Sequence, residues 1–177
     1  MSTPSTLMPT RLLILQRLAA LIEGTTTELP LPPVDLTGKV FRGRALTGQE
    51  VGRPAVSILE SPRPENAFWA GHWDTQRSFW TILIQGMTED DKENPSDAAY
   101  YLAAAVERQL FKVIAMNERV GRPLYPEHYL LGELITSIEI APAVVRPPEK
   151  DTSSTAFFFL PLRLGVAASP GEPYTAP

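Results

Sequence analysis

Residues 79–114 constrain the fold of this chain more than any other segment, because they predict a strand, an acidic turn and a long helix in direct succession. Residues 79–86 are rich in β-branched and aromatic side chains, which suit the pleated surface of a strand, and Gly86 is expected to end it. From Ala98 onward, apolar residues recur at the spacing of one helix face. That face consists of Leu102, Val106, Leu110, Val113 and Ile114. The segment therefore predicts a core formed between a sheet and a helix.

The turn between this strand and this helix, residues 88–93, is too charged to be buried. Its carboxylates belong to Glu89, Asp90, Asp91 and Glu93. We interpret it as a solvated turn. An anion-repelling surface is the functional alternative, because clustered negative charge keeps other anions away.

The composition limits the classes of function. The net charge is −4 and no run of Lys or Arg exists, whereas a nucleic-acid-binding surface needs clustered cations. A channel through which DNA merely passes stays compatible, because a mildly acidic wall keeps DNA from sticking. The chain has no cysteine, which excludes disulfides, thiolate metal sites and thiol nucleophiles. The longest apolar run near the N-terminus, residues 12–15, is far short of a membrane span, and we expect folding in a cytoplasm.

The remaining segments predict an α+β domain with a mostly antiparallel sheet of about five strands and two main helices packed on one face, in the order α-β-β-β-α-β-β. The helices cover residues 10–22 and 95–117, and the strands cover 39–46, 54–60, 79–86, 134–140 and 156–166. Residues 47–50 are expected to form a hairpin loop between the first two strands. At 177 residues the chain is most simply one domain, residues 10–166, with a flexible lead at 1–9 and a flexible tail at 167–177.

Two groups of aromatic residues indicate contact surfaces. The long connection at residues 61–77 contains Phe68, Trp69 and Trp73. These side chains either form an interface, where tryptophan is enriched, or fold back over the sheet. Tyr100 and Tyr101 are consecutive in the second helix, so both cannot face the core squarely, and one is expected at a helix–sheet edge or a subunit contact.

Catalytic and metal-binding motifs are missing from the sequence. His72, Asp74 and His128 are conceivable metal ligands, but their spacing matches no known metal motif. The chain contains no G-x-S-x-G elbow, no P-loop and no G-x-G-x-x-G after a strand. A pair of carboxylates that meet in space stays open as an acid–base site. The sequence therefore favours an interaction protein with no catalytic, cofactor or metal site.

The order of these elements resembles the tail terminator proteins of long-tailed bacteriophages, also called tail completion or minor tail proteins of the lambda U type. The resemblance rests on the opening helix at 10–22, the strand Arg-Pro-Ala-Val-Ser-Ile-Leu-Glu at 53–60, the strand at 77–85, the Pro-Ser-Asp-Ala-Ala helix start at 95–99 and two late strands. It covers residues 10–166 and is a likeness of order and pattern.

The resemblance implies a virion protein, made in the host cytoplasm, that forms a hexameric ring on the last ring of the tail tube protein. Such a ring stops tube polymerisation and offers a surface to the head completion or neck proteins. DNA passes through its lumen without specific binding, and no membrane is involved. On this basis, the connections at 61–77 and 144–155 are expected to make axial contacts and the acidic turn is expected to lie near the lumen. The axial candidates are Phe68, Trp69, His72, Trp73, Arg146, Glu149 and Lys150, and the lumen candidates are Glu89, Asp90, Asp91 and Glu93.

Three alternatives differ in partner or class. A related neck or head–tail connector protein would also form a ring but would bind the portal side. A small enzyme with an unrecognised site would contain convergent acids with perturbed pKa values. A monomeric cellular binding module would form no ring at all.

Overall fold

The α+β prediction is confirmed by a computed structural model, which describes residues 7–46, 51–60, 76–148, 154–168 and 173–176. The helices are α1 (Thr10–Glu23), α2 (Asp97–Phe111) and the single turn α3 (Leu130–Glu133). The strands are β1 (Met8–Pro9), β2 (Thr26–Thr27), β3 (Val34–Asp35), β4 (Val40–Arg42), β5 (Ala55–Glu60), β6 (Gln76–Glu89), β7 (Met116–Asn117), β8 (Arg122–Pro123), β9 (Ser137–Ile140), β10 (Val144–Arg146), β11 (Thr155–Ala168) and β12 (Tyr174–Thr175). No helix among the described residues is long and apolar enough to cross a membrane.

The main sheet has six strands, in the order β10-β11-β6-β5-β4, with β9 also paired to β11. Its centre is the antiparallel pair of β6 and β11, which match each other over all 14 residues, from Gln76 opposite Ala168 to Glu89 opposite Thr155. At about 3.4 Å per residue, this pair is about 44 Å long. It is the longest element of the fold, and it separates two distant ends of the molecule.

Both main helices pack on one face of this sheet, as predicted. Side chains of alternate strand positions on this face are buried together with Leu18 and Ile22 of α1 and Leu102 and Val106 of α2. The sheet contributes Val56, Ile58, Trp80, Ile82, Ile84, Phe158, Leu160, Leu162, Leu164 and Val166. Each such burial contributes roughly 1.5–3 kcal/mol. We call the opposite side of the sheet the open face, although part of it is covered by a small second cluster of the buried residues Leu46, Ala55 and Met87.

Ile114 does not belong to the buried stripe of the second helix, although the sequence predicted it there. Leu102, Val106, Leu110 and Val113 are buried, but 36% of Ile114 is exposed. The reason is that α2 ends at Phe111, so residues beyond it no longer follow the helical period.

Gly86 does not end the strand that contains it. The strand continues to Glu89, and Gly86 lies opposite Phe158 of β11. A methyl group placed on Gly86 would come within 1.9 Å of the Phe158 ring. The glycine is therefore required because the ring of the neighbouring strand occupies the space where a side chain would be.

The first two strands do not form the expected antiparallel hairpin. β4 pairs with β5 in parallel, Val40 opposite Val56, and the predicted loop at 47–50 lies outside the described residues. After β4 the chain turns at Gly43, where φ is +68°, and then crosses the open face. There the Leu46 N–H donates to Oε1 of Gln85 at 3.1 Å, and Nε2 of Gln85 donates to the Leu46 carbonyl at 3.0 Å. Periodicity predicted the strands but carries no information about which way they pair.

Parts of both predicted terminal segments are paired. β1 and β12 form a small antiparallel sheet, and the Thr10 N–H donates to the Pro173 carbonyl at 2.9 Å. β11 also runs to Ala168, two residues into the predicted tail. Flexibility of the two ends stays a prediction, but these residues hold the chain ends together at the start of α1.

The predicted strand at 134–140 begins later than expected, at Ser137, because a left-handed turn precedes it. Leu130, Leu131, Gly132 and Glu133 all have positive φ, a conformation that costs roughly 1–2 kcal/mol for each residue with a side chain. Arg17 of α1 closes over the turn, and its Nη1 donates to the Leu131 carbonyl at 3.0 Å.

Candidate interaction surfaces

Several of the predicted contact residues lie outside the described residues. They are Phe68, Trp69, His72, Trp73, Glu149 and Lys150. Among the axial candidates, the structure therefore places only Arg146. It also places all four acids predicted near the lumen.

Arg146 lies at the edge of the sheet, in β10. Its guanidinium carbon is 5.6 Å from the centre of the Phe159 ring, on the open face, and its neighbour Val144 is 55% exposed. A guanidinium over an aromatic face is an electrostatically favourable contact. Arg146 is thereby held in one orientation at an accessible edge.

The acidic turn is a structured, solvated turn at one end of β6. Glu89 closes the strand, and the N–H of Asp90 donates to the Ser154 carbonyl at 3.1 Å. Three of the four acids are exposed and Asp90 is half-buried. The Asp91 carboxylate accepts hydrogen bonds from the N–H groups of Asn94 at 2.9 Å and Glu93 at 2.8 Å, which lower its pKa. These bonds stabilise the charged form of Asp91.

The two connections predicted to make axial contacts are attached to opposite ends of the sheet. Arg146 pairs with Phe157, two residues from Thr155 and therefore beside the acidic turn. The other connection ends at Gln76, which pairs with Ala168 at the far end of β11. These ends are about 44 Å apart. Arg146 and the acidic turn therefore lie at one end of the sheet, whereas the aromatic candidates of the other connection lie outside the described residues.

The open face of the sheet bears a row of aromatic–arginine pairs that the sequence alone did not reveal. The guanidinium carbon of Arg163 is 5.5 Å from the centre of the Phe79 ring, and its Nη1 is 3.5 Å from Oε2 of Glu139. The Phe157 and Phe159 rings stack with their centres 6.5 Å apart. The alternation of β11 contained the signal, because Phe157, Phe159 and Arg163 occupy positions opposite in parity to the buried Phe158 and Leu160.

The outer side of α2 forms a second accessible surface. Tyr100, Tyr101 and Phe111 are 60%, 49% and 56% exposed. Both tyrosines therefore face away from the core, although the sequence predicted this for only one.

The histidine available for a metal site has one ionisable neighbour. Nε2 of His128 is 3.7 Å from Oε1 of Glu127. Over the described part of the chain, no three His, Cys, Asp or Glu side chains are grouped so as to hold a metal ion. His72 and Asp74 lie outside that part.

No protein-family model matches the chain, and no curated protein is similar enough to count as a match. The family resemblance of the element order therefore stays an expectation. Function must be inferred from the surfaces and from the order of helices and strands.

Proposed function

We propose that this protein is a phage tail terminator: a virion protein that forms a ring, expected to be hexameric, on the tip of the tail tube. The ring stops polymerisation of the tube protein and provides the surface that joins the tail to the head completion proteins. The observation that carries this proposal is the long β6–β11 pair, whose two ends are about 44 Å apart and would each present a separate contact region.

A protein that joins a tube to a head needs two axial faces. One end of the pair carries Arg146 and the acidic turn, and the other end begins at Gln76. Capping is then steric. One axial face imitates the next tube subunit and binds the growing end, whereas the other differs from it and gives no site for a further subunit.

A closed ring also needs a lateral contact between unlike surfaces of neighbouring copies. The open face supplies one such surface, because arginine and aromatic side chains dominate interface energetics. Arg163, which is ordered between Phe79 and Glu139, lies near its middle. Near the lumen, the acids at 89–93 repel phosphates, so that DNA passes without binding.

The deciding experiment adds the purified protein to its phage's tail tube protein during polymerisation and measures tube lengths by negative-stain electron microscopy. We expect shorter tubes with a six-fold ring at one tip. Arg163→Glu places a carboxylate beside Glu139 and is expected to abolish ring formation while the fold is retained. Arg42→Glu, a charge reversal at an exposed position of the edge strand β4, is the matched control and is expected to cap normally.

Tubes that reach the same length with and without the protein, and that bear no ring, would refute the proposal. A ring that binds isolated head connectors but ignores tubes would move the protein to the neck, which is the closest alternative function.

A further inference from the structure

The exposed side of α2 bears a row of residues whose central member, Ala104, is equally distant from both ends. The row, here called the α2 stripe, consists of Asp97, Tyr100, Tyr101, Ala104, Arg108 and Phe111, all exposed. Their spacing of three or four residues puts them on one narrow helix face. Ala104 is seven residues from each end of the row and four residues from both Tyr100 and Arg108. Any surface of this kind is able to pair with a second copy of itself in antiparallel orientation.

The stripe has the apolar area expected of an interface. An aromatic side chain offers roughly 150–250 Å², so the exposed fractions of Tyr100, Tyr101 and Phe111 amount to roughly 300 Å². The segment that follows α2 extends this surface with Ile114, Met116, Val120 and Leu124, which are 36%, 40%, 61% and 51% exposed. The largest exposed apolar patch of a protein is often functional. A stable interface needs roughly 800 Å² from each partner, so the pairing has to include this segment as well as the stripe.

Charge selects the antiparallel orientation. The region before and at the start of α2 contains five acids and one lysine: Glu89, Asp90, Asp91, Lys92, Glu93 and Asp97. The region from the last turns of α2 onward contains four cations and two acids: Glu107, Arg108, Lys112, Glu118, Arg119 and Arg122. Antiparallel pairing brings the acidic end of each copy to the basic end of the other, twice. Parallel pairing would put acids against acids, and it would also align the two helix dipoles unfavourably.

We propose that two copies of this chain form a two-fold dimer through their α2 stripes, with Ala104 at the axis. The small Ala104 side chain lets the helices approach to roughly 8 Å. Tyr100 then faces Arg108 of the partner subunit, a cation–π pair that the symmetry repeats. The contact is isologous and closes after two copies. This dimer is a state of the free protein and goes beyond the ring: in the dimer the acids at 89–93 face the partner's cations, whereas in the proposed ring they face the lumen. The dimer leaves the open face accessible because α2 packs on the opposite side of the sheet.

A single cysteine tests this geometry, because the chain has none of its own. Residue 104 faces itself only across a two-fold axis, so Ala104→Cys is expected to form a covalent dimer on mild oxidation, seen by non-reducing electrophoresis. Ala20→Cys, at an exposed position of α1, is the matched control and is expected to run as a monomer on the same non-reducing gel. Light scattering of the unaltered protein over a concentration series is expected to show a monomer–dimer equilibrium.

Arg108→Glu is a second, independent test of the dimer, because it removes the cation–π pair and brings a carboxylate to the acidic end of the partner subunit. Its dimer dissociation constant is expected to rise at least tenfold, whereas Arg42→Glu, on the distant edge strand β4, is expected to leave the constant unchanged. Either of two results overturns the proposal: a strict monomer at all concentrations, or an oligomer in which Ala104→Cys crosslinks no better than Ala20→Cys. The second result would assign the contact between copies to a surface other than the α2 stripe. Tube capping is measured separately, so it can fail or succeed whatever the state of the dimer.

Discussion

Replacing Gly86 by alanine is the sharpest test of the packing between β6 and β11. The added methyl would lie 1.9 Å from Cε1 of Phe158 and 2.5 Å from both Cδ1 and Cζ. An ordinary contact between such carbons is about 3.5–4.0 Å, so the ring or a backbone has to move by about 1.5 Å. Phe158 is fully buried, and the dense packing around a buried ring leaves it little room to move.

The size of the effect follows from two opposing terms. Overpacking of this kind lowers the free energy of unfolding by about 1–3 kcal/mol. Because the Phe158 ring is rigid, we expect a value near the upper limit. Replacing glycine restricts the unfolded chain, and this raises the free energy of unfolding by about 0.4–1 kcal/mol. We therefore expect Gly86→Ala to lower the free energy of unfolding by about 2 kcal/mol. With a urea m value of about 2 kcal/mol/M, the midpoint falls by about 1 M.

The assay is urea unfolding followed by circular dichroism, at one fixed protein concentration because association stabilises the folded state. Gly52→Ala is the control, since no atom lies within 4 Å of the place that its added methyl would occupy and φ is not positive there. We expect it to raise stability by at most about 1 kcal/mol, through restriction of the unfolded chain alone. A double-mutant cycle with Phe158→Leu is expected to show a coupling of at least about 1 kcal/mol. Wild-type stability for Gly86→Ala, or strict additivity with Phe158→Leu, would show that the ring does not fill this space.

Two further predictions concern polar groups. Gln85→Ala removes both hydrogen bonds to the buried Leu46 backbone. Because each buried polar group left without a partner costs about 1–3 kcal/mol, we expect the free energy of unfolding, measured in urea, to fall by about 3 kcal/mol. An unchanged free energy of unfolding would mean that the segment at 43–46 does not lie on the open face. The pKa of Asp91 is lowered below its usual 3.8, so its contribution to stability is complete above that value and is lost as the pH falls through the lowered pKa. A carboxyl titration by NMR is expected to give a midpoint below 3.8, and a midpoint at or above it would contradict the bonds to Glu93 and Asn94.

The fold class could be predicted because it depends on local periodicity, whereas the errors arose where a residue's role depends on a distant partner. Gly86 illustrates this. A glycine after a β-branched run often ends a strand, but here it accommodates Phe158, which is 72 positions away in the sequence. The same holds for the parallel pairing of β4 and β5, because the alternation of side chains is identical in parallel and antiparallel pairs.

A candidate surface could be predicted where its residues occupy the positions of a helix or strand that the core residues leave exposed. The helical period that buries Leu102, Val106 and Leu110 places Tyr100 and Ala104 on the outer side of α2, so the stripe was implicit in the sequence. The position of Arg146 beside the acidic turn was not, since it depends on how β10 pairs with β11. Surfaces assembled from one element can be predicted from the sequence, and surfaces assembled across strands require the register.

The register of the central pair is not determined by apolar patterning alone, because β11 contains three consecutive phenylalanines, Phe157 to Phe159. A slip of one residue reverses the face of every side chain in a strand, yet at two of these three positions it would exchange one phenylalanine for another. Gly86 resolves the ambiguity: it is the only glycine in β6, so only one alignment puts a vacant position opposite the Phe158 ring. The same alignment turns Arg163 toward the open face, where a slipped strand would bury its charge. The glycine that makes room in the core therefore also determines which side chains the open face presents to a partner.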